Sequence, residues 1–409
     1  MANPLEFLTS ASPSSRRALL ASGLGWMLDG MDVTLYSMVI SELLRELHLS
    51  TAQAGLLASV TLIASGVGGL LFGVLADRLG RRTALIVSIA TYSLATAACG
   101  LSSGLGELVV FRCIVGLGMG GEWGTGAALV SETWKPEHRG KALGLMQSGY
   151  AAGYACAAVV AALVMPRWGW RAVFFVGVLP ALLTLWISRK VEESPLWKAG
   201  QTSSSSAPIA SAFFAKPYRG LILLVVLINA AALFAWWGLF TWIPSYLAMP
   251  VSQGGRGLSI AASAEWILVM QAGMCLGSVL YGFFSDAAGR KITYVGFLLL
   301  AAALVPVYAH AHVAILLLAV GPLLAFFATG QFAGFAAITA ELFPTSFRAS
   351  AMGFAYNLGR ALSAAAPWAI GILAGHGGLG SAFWICAIAF LIAAGLALGV
   401  PETRGKTLE

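Results

Sequence analysis

Charge is scarce in this chain. Asp, Glu, Lys and Arg supply only 10% of its 409 residues, while 59% are hydrophobic; soluble domains carry about 25% charged residues. A soluble fold would need a charged surface that so few side chains cannot make. Cysteine is also sparse and odd in number, and Cys99, Cys113, Cys156, Cys275 and Cys386 all sit in apolar runs. Neither a disulfide framework nor a metal-ligand spacing is present, and no metal site is expected. The three asparagines, Asn3, Asn229 and Asn357, never begin an Asn-x-Ser/Thr sequon. His48, His138, His310, His312 and His376 fall in or near loops with no acid or cysteine at ligand spacing. With no nucleophile–base set either, an enzyme is not expected, and no cofactor. No cleavable signal peptide is read, because the first apolar run is long and carries acids.

What the chain has instead is long apolar runs. Twelve exceed or approach the roughly 20 residues that cross a bilayer, near 17–42, 52–76, 83–102, 106–133, 140–165, 170–189, 219–248, 262–285, 291–309, 313–341, 348–374 and 380–399. An all-α membrane protein is expected. The net charge of +7 is a matter of topology and gives no reason to expect a nucleic-acid partner. With the N-terminus in the cytoplasm, 18 of the 24 Lys and Arg fall on the cytoplasmic side, four on the other, and Arg112 and Arg360 inside spans. That asymmetry is the positive-inside rule and places both termini in the cytoplasm. A prokaryotic plasma membrane, that is a bacterial inner membrane, fits, and a monomer in the lipid bilayer is expected.

Two motifs recur at one offset. Gly73-Val-Leu-Ala-Asp77-Arg-Leu-Gly80-Arg81-Arg82 returns 209 positions later as Gly282-Phe-Phe-Ser-Asp286-Ala-Ala-Gly289-Arg290-Lys291. Glu132 and Arg139 return at the same offset as Glu341 and Arg348. The halves are therefore structural copies. The expected organisation is an N-terminal six-helix bundle (1–190), a cytoplasmic linker (191–218) containing Ser203–Ser206, a C-terminal six-helix bundle (219–400) and a cytoplasmic tail (401–409). Six spans per half give parallel copies related by a pseudo-twofold axis along the membrane normal, a plan used by secondary transporters. Glycines crowd the fourth span at 116, 118, 120, 121, 124 and 126, where small residues let helices approach closely.

On these motifs the chain resembles the major facilitator superfamily, and the resemblance covers nearly all of it. Gly73-x-x-x-Asp77-Arg-x-Gly80-Arg81-Arg82 is similar to that family's loop motif between the second and third spans. Gly73 is expected to permit close helix contact, and Asp77 to meet Arg81 or a helix N-terminus. Glu132 and Arg139 are expected to join this cytoplasmic network, with Asp286, Arg290, Glu341 and Arg348 repeating it. It reads either as a gate latch or as topological anchoring. The tail Pro401-Glu402-Thr403-Arg404-Gly405-Lys406 resembles the end of sugar porters, and Glu193-Ser194-Pro195 resembles their mid-chain motif. Val191-Glu192 lacks that motif's first proline, so sugar specificity does not follow.

Charges inside spans cost about 2.5–3.5 kcal/mol each on insertion scales and ask for a role. Gly25, Asp29, Asp32 and Tyr36 follow i, i+4, i+7, i+11 spacing, one polar stripe near the middle of the first span. Two carboxylates a turn apart repel each other, and burial disfavours the charged form, which is the chemistry of a proton carrier. Asp29-Gly30-Met31-Asp32 resembles the first-span motif of aromatic-acid/proton symporters. Arg112-x-x-x-Gly116-x-Gly118 resembles the family's fourth-span arginine motif, and Gly121-Glu122-Trp123-Gly124 is similar to sialate- and lactate-type symporters. The resemblance makes Asp29, Asp32, Arg112 and Glu122 the proton-coupling set, with Arg112 expected to pair with a first-span aspartate.

In the second half, Arg360 lies well inside the eleventh span near Tyr356, Asn357 and Ser363. A fixed guanidinium binds a carboxylate bidentately, or it neutralises an acid across the bundle; both readings stand. Gln147, Tyr150 and Tyr154 on the fifth span, Asn229 and Trp236 on the seventh, Gln271 and Gln331 are further substrate-binding candidates, and helix–helix hydrogen bonding explains any one of them just as well. Trp236, Trp237 and Trp242 also read as interface or packing aromatics. The expected function is proton-coupled symport of a small organic carboxylate by alternating access, driven by the proton gradient. Sugar/proton symport is an alternative. So is drug/proton antiport, although the fifth span's Gly149-Tyr-Ala-Ala-Gly153 lacks the Gly-Pro-Gly-Gly signature of those exporters.

Overall fold

The computed structural model describes residues 8, 11–134, 136–200, 216–311, 313–343 and 348–403. Side chains of Asp77, Arg139, Asp286 and Arg348, and most of the linker and tail, lie outside the described residues. Among those residues the elements are helical throughout. They are α1 (Pro13–Glu46), α2 (Thr51–Leu79), α3 (Arg81–Cys99), α4 (Leu105–Thr133), α5 (Pro136–Val176), α6 (Pro180–Lys190) and α7 (Pro195–Gly200). The second half supplies α8 (Lys216–Ala248), α9 (Ile260–Ala288), α10 (Arg290–Ala309), α11 (Ala314–Leu342), α12 (Arg348–Ser363), α13 (Ala365–Ala382) and α14 (Trp384–Ala397).

Among the described residues the helices supply twelve crossing segments, because two of them fold back at a glycine. Gly169 inside α5 has φ 73° and Gly378 inside α13 has φ 79°, conformations that side-chain-bearing residues rarely adopt. These turns are again 209 positions apart. The fifth and sixth spans meet at the first, the eleventh and twelfth at the second. Among the described residues eight helical stretches are long and apolar enough to cross a membrane, and α1 and α4, which carry Asp29, Asp32, Arg112 and Glu122, are not among them. Outward-facing Leu70, Phe283 and Ile315 are exposed, as a hydrocarbon surround requires.

Glycine sets the helix spacing. A Cβ on Gly68 would lie 2.1 Å from the Leu117 carbonyl oxygen, and one on Gly277 would lie 2.1 Å from that of Phe326. α2 and α4 thus touch backbone to backbone, as their copies α9 and α11 do. Gly153 brings α5 onto α1 in the same way, 1.8 Å from the Met27 carbonyl oxygen to a would-be Cβ. Gly73 and Gly282 behave differently from expectation. Nothing lies within 4 Å of a Cβ at either, because both sit on exposed helix faces.

The chain forms two compact units: one holds residues up to Tyr36 and from Ile63 to Ser205, the other Ser37–Leu62 and Ser206 onward. The first part of α2 joins the second unit through α13. Thr51 donates to the Gly371 carbonyl at 2.6 Å, the Trp368 amide donates to the Ser59 hydroxyl at 3.2 Å, and a Cβ on Gly55 would lie 2.3 Å from the Pro367 oxygen. In the first unit Leu19, Trp26, Val130, Trp134, Ala142 and Met146 form a buried core, and the Trp134 indole donates to the Ser15 carbonyl at 2.9 Å.

Candidate functional site

Three clusters of polar groups stand out. The first lies in the first unit, where α1, α3 and α4 meet. Asp29 and Asp32 are fully buried, as are Glu122 and Arg112 within a per cent or two. The Thr96 hydroxyl of α3 donates to Asp32 Oδ2 at 2.9 Å. Glu122 reaches the stripe at Gly25, where a Cβ would stand 2.2 Å from Glu122 Oε1. Gly25 therefore belongs to the stripe by making room for the acid from α4. Arg112 departs from expectation. Its guanidinium lies over the Tyr36 ring, 4.4 Å from the centroid, and it forms no ion pair with a first-span aspartate among the described residues. The ring face satisfies the cation electrostatically, while the nearer Thr96 hydroxyl holds Asp32. Arg112 Nε and Nη1 have no hydrogen-bond partner. Gln147, Tyr150 and Tyr154 border this region from α5. Gln147 is exposed and accepts from the Trp123 indole at 3.0 Å, Tyr150 packs on Trp26 at 5.1 Å between centroids, and Tyr154 is buried.

The second cluster belongs to the second unit. Arg360 is 4% exposed, deep in a membrane helix, and its guanidinium lies 5.8 Å from the centre of the Trp237 ring. No carboxylate of its own bundle pairs with it among the described residues, and its Nε lacks a partner. Trp237 continues into an aromatic group: Trp236 meets Trp237 at 4.9 Å, Phe240 at 5.0 Å and Phe332 at 6.1 Å. The Trp236 indole donates to Thr329 at 3.0 Å. Trp237, which the sequence suggests as an interface or packing aromatic, thus stands against Arg360, and its register beside Trp236 is the signal for it.

Other candidates are tied to backbone. The Asn229 amide nitrogen donates to the Ala355 and Tyr356 carbonyls, both at 3.3 Å, joining α8 to α12 one turn from Arg360. Asn357 donates to the Gly353 carbonyl of its own helix at 3.0 Å, and Ser363 to that of Arg360 at 2.8 Å. Gln271 and Gln331 are buried, each with its side-chain oxygen unpartnered.

The third cluster is duplicated. Gly80 has φ 101° and Gly289 has φ 106°, a region essentially reserved for glycine. Each starts a helix, and in each a carboxylate from far along the chain caps it. Glu193 accepts from the Arg81 amide at 2.9 Å and the Arg82 amide at 3.1 Å. Glu402 accepts from the Arg290 amide at 2.9 Å and the Lys291 amide at 3.1 Å. A Cβ on Gly80 would stand 2.1 Å from Glu193 Oε2, so the motif glycine supplies both the turn and the space. Arg81 then pairs with Glu132 at 3.3 Å, and Arg290 with Glu341 at 3.3 Å. The Thr403 hydroxyl completes the second copy by donating to Glu341. Sequence reasoning found Glu132, Glu341 and the arginines but missed the capping role of Glu193 and Glu402, although these too are 209 apart.

The cap makes a prediction. Replacing Glu193 by alanine leaves two helix N–H groups unsatisfied and removes a negative charge from a helix N-terminus, costing about 1 kcal/mol. In detergent the melting midpoint of E193A is expected to fall, and that of E193Q, which still accepts, to fall less. Equal midpoints for E193A and the wild type would refute the capping role.

Paired six-span repeats with acids buried in one bundle and a cation in the other define a polytopic membrane carrier. The family model of the Major Facilitator Superfamily matches residues 23–264 and 248–409. The chain belongs to that superfamily and is a transporter, not an enzyme. It is 33% identical over 407 residues to a probable 4-methylmuconolactone transporter of Cupriavidus pinatubonensis, covering 98% of this chain and 94% of the relative. It is 31% identical over 418 residues to a niacin transporter of Acinetobacter baylyi, covering 95% and 94%. Among solved structures, the xylose transporter of E. coli in a partially occluded, inward-open form superposes with a TM-score of 0.78 at 21% identity, over 97% of this chain and all of that one.

Proposed function

We propose that this transporter carries a small organic carboxylate together with a proton across a bacterial inner membrane, with both termini cytoplasmic. The observation that carries the reading is Arg360. It is a buried guanidinium that no carboxylate of its own bundle pairs with among the described residues, set against the face of Trp237. A buried cation without a counter-ion is costly in a membrane. An incoming carboxylate offsets that cost by accepting two hydrogen bonds from the fork, while Trp237 offers an apolar face to an unsaturated substrate body. The relatives that carry niacin and, by its name, 4-methylmuconolactone support a small unsaturated organic acid or its lactone as cargo. Asp29, Asp32 and Glu122 are the proton carriers in this reading, since three buried acids near one another cannot all stay ionised in a low-dielectric site. Alternating access couples the two loads. The duplicated caps with their Arg–Glu pairs act as cytoplasmic gate elements.

Sugar/proton symport is the second reading, favoured by the resemblance of the capping Glu402-Thr403 segment to the sugar-porter tail. A neutral sugar gives Arg360 no charge to meet, which places it behind a carboxylate. The test is uptake into proteoliposomes of a panel of aromatic and unsaturated carboxylates, D-xylose and a hydrophobic cation, with and without an inward proton gradient and with sodium exchanged for potassium. Carboxylate uptake stimulated by the proton gradient is expected. Gradient-driven uptake of xylose alone, or expulsion of the cation, would overturn the reading.

A further inference from the structure

The acids of the first unit do not stand by themselves, and the helix that holds them carries no charge within its span. α3 presents Ser88, Tyr92 and Thr96 at i, i+4 and i+8, one face of the helix, and all three are fully buried. Ser88 donates to the Gly118 carbonyl at 2.7 Å. A Cβ on Gly118 would lie 2.6 Å from the Tyr92 amide nitrogen, so α3 and α4 are locked together at the level of Tyr92. Glu122 stands one turn beyond Gly118 on α4, and the Tyr92 hydroxyl lies close enough to act on its carboxylate electrostatically. No hydrogen bond joins them: among the described residues the hydroxyl and both carboxylate oxygens are buried and without a hydrogen-bond partner. One turn further on, the Thr96 hydroxyl donates to Asp32 Oδ2 at 2.9 Å. Gly177 seals this contact, since a Cβ there would lie 2.3 Å from Thr96 Cγ2 and 3.1 Å from Asp32 Oδ1.

Resting on the proton-coupling reading above, we infer that Tyr92 and Thr96 are the positioning residues of the proton site, each aiming one hydroxyl at one acid. A hydroxyl suits the task chemically. It donates to a carboxylate and accepts from a carboxylic acid, and so follows the acid through both protonation states. A hydrogen bond to the charged form also sets how readily the proton leaves. Both hydroxyls ride on α3 while the acids ride on α1 and α4. Any displacement of α3 against those helices therefore changes the hold on both protons at once, which links protonation to helix position. Asp29, Cys99, Arg112 and Glu122 also act on Asp32, with Tyr36 against Arg112, and none of these side chains is altered when only α3 hydroxyls are removed.

The experiment is an infrared pH titration of the purified, lipid-reconstituted protein, reading the protonated-carboxyl C=O band. The Asp32 component is assigned as the one D32N removes, and the Glu122 component as the one E122Q removes. Thr96→Val keeps the shape and deletes the donor, so the Asp32 band is expected to persist to higher pH, by about tenfold in proton concentration for one lost charge-assisted hydrogen bond. Thr96→Ser restores the donor and the wild-type midpoint. Tyr92→Phe is expected to displace the Glu122 band by a similar factor, and the pH profile of uptake moves with each band. Unmoved bands in both T96V and Y92F would overturn the inference. The titration needs no transport. If wild-type uptake ignores the proton gradient, the symport reading falls on its own, and the bands still decide whether α3 positions the acids.

Discussion

Replacing Arg360 by glutamine is expected to abolish saturable carboxylate uptake, with affinity falling by about 30-fold or more. Truncating one partner of a buried, hydrogen-bonded charge pair costs about 2–5 kcal/mol, and glutamine keeps neither the charge nor the fork. Arg360→Lys keeps the charge on a stem that offers no planar pair of donors, so it is expected to fall between the two. Misfolding is not a rival explanation. The guanidinium is buried in a membrane helix with no acid of its own bundle paired to it among the described residues, and removing such a charge relieves a desolvation cost. R360Q is therefore expected to melt in detergent no lower than the wild type. Calorimetric titration of the best substrate from the uptake panel measures the affinity. Wild-type affinity in R360Q would take Arg360 out of the substrate site.

The second large effect is expected at Asp32. Asparagine preserves the shape, and its side-chain oxygen still accepts from the Thr96 hydroxyl now 2.9 Å from Asp32 Oδ2, but it binds no proton. With one proton carried per substrate, an imposed gradient of one pH unit drives about tenfold more accumulation, the factor equivalent to about 1.4 kcal/mol. In D32N that extra factor is expected to fall to about one, leaving only downhill equilibration. The check is the final internal-to-external substrate ratio in proteoliposomes over a series of imposed gradients. If D32N tracked the wild type across the series, Asp32 would have no part in coupling.

Much of this fold was legible in the chain because a membrane leaves few options. Long apolar runs give spans, and the 209-residue offset between the Asp77 and Asp286 motifs gives the repeat. Buried charge was equally visible: Asp29, Asp32, Arg112, Glu122 and Arg360 stand out because the other charges of their spans, Arg17, Glu42, Glu107, Glu132 and Arg348, lie at the ends. Partners were not legible. Arg112 was expected on an aspartate and lies on Tyr36, since the sequence does not say that a hydroxyl from another helix already holds Asp32. Thr96 and Tyr92 passed unnoticed because threonine and tyrosine are ordinary in apolar helices, and only the angular setting of α3 turns them toward the acids. Glu193 caps a helix 112 residues earlier in the chain, a distance over which no local pattern operates. Gly73 failed in the opposite sense: its place in a motif suggested contact, and the helix turns it outward.

The glycines of α4 also decide where a probe can be attached to watch the acids work. Gly121 faces Phe72, with a would-be Cβ 2.2 Å from the ring, and Gly120 leaves 2.0 Å to the Ser65 carbonyl oxygen, whereas nothing stands within 4 Å of Gly124. A cysteine at position 124 therefore has room for a spin label or fluorophore two residues from Glu122, on the outward side of the same helix. Such a label would sense α4 moving without dislodging the backbone contacts that hold it.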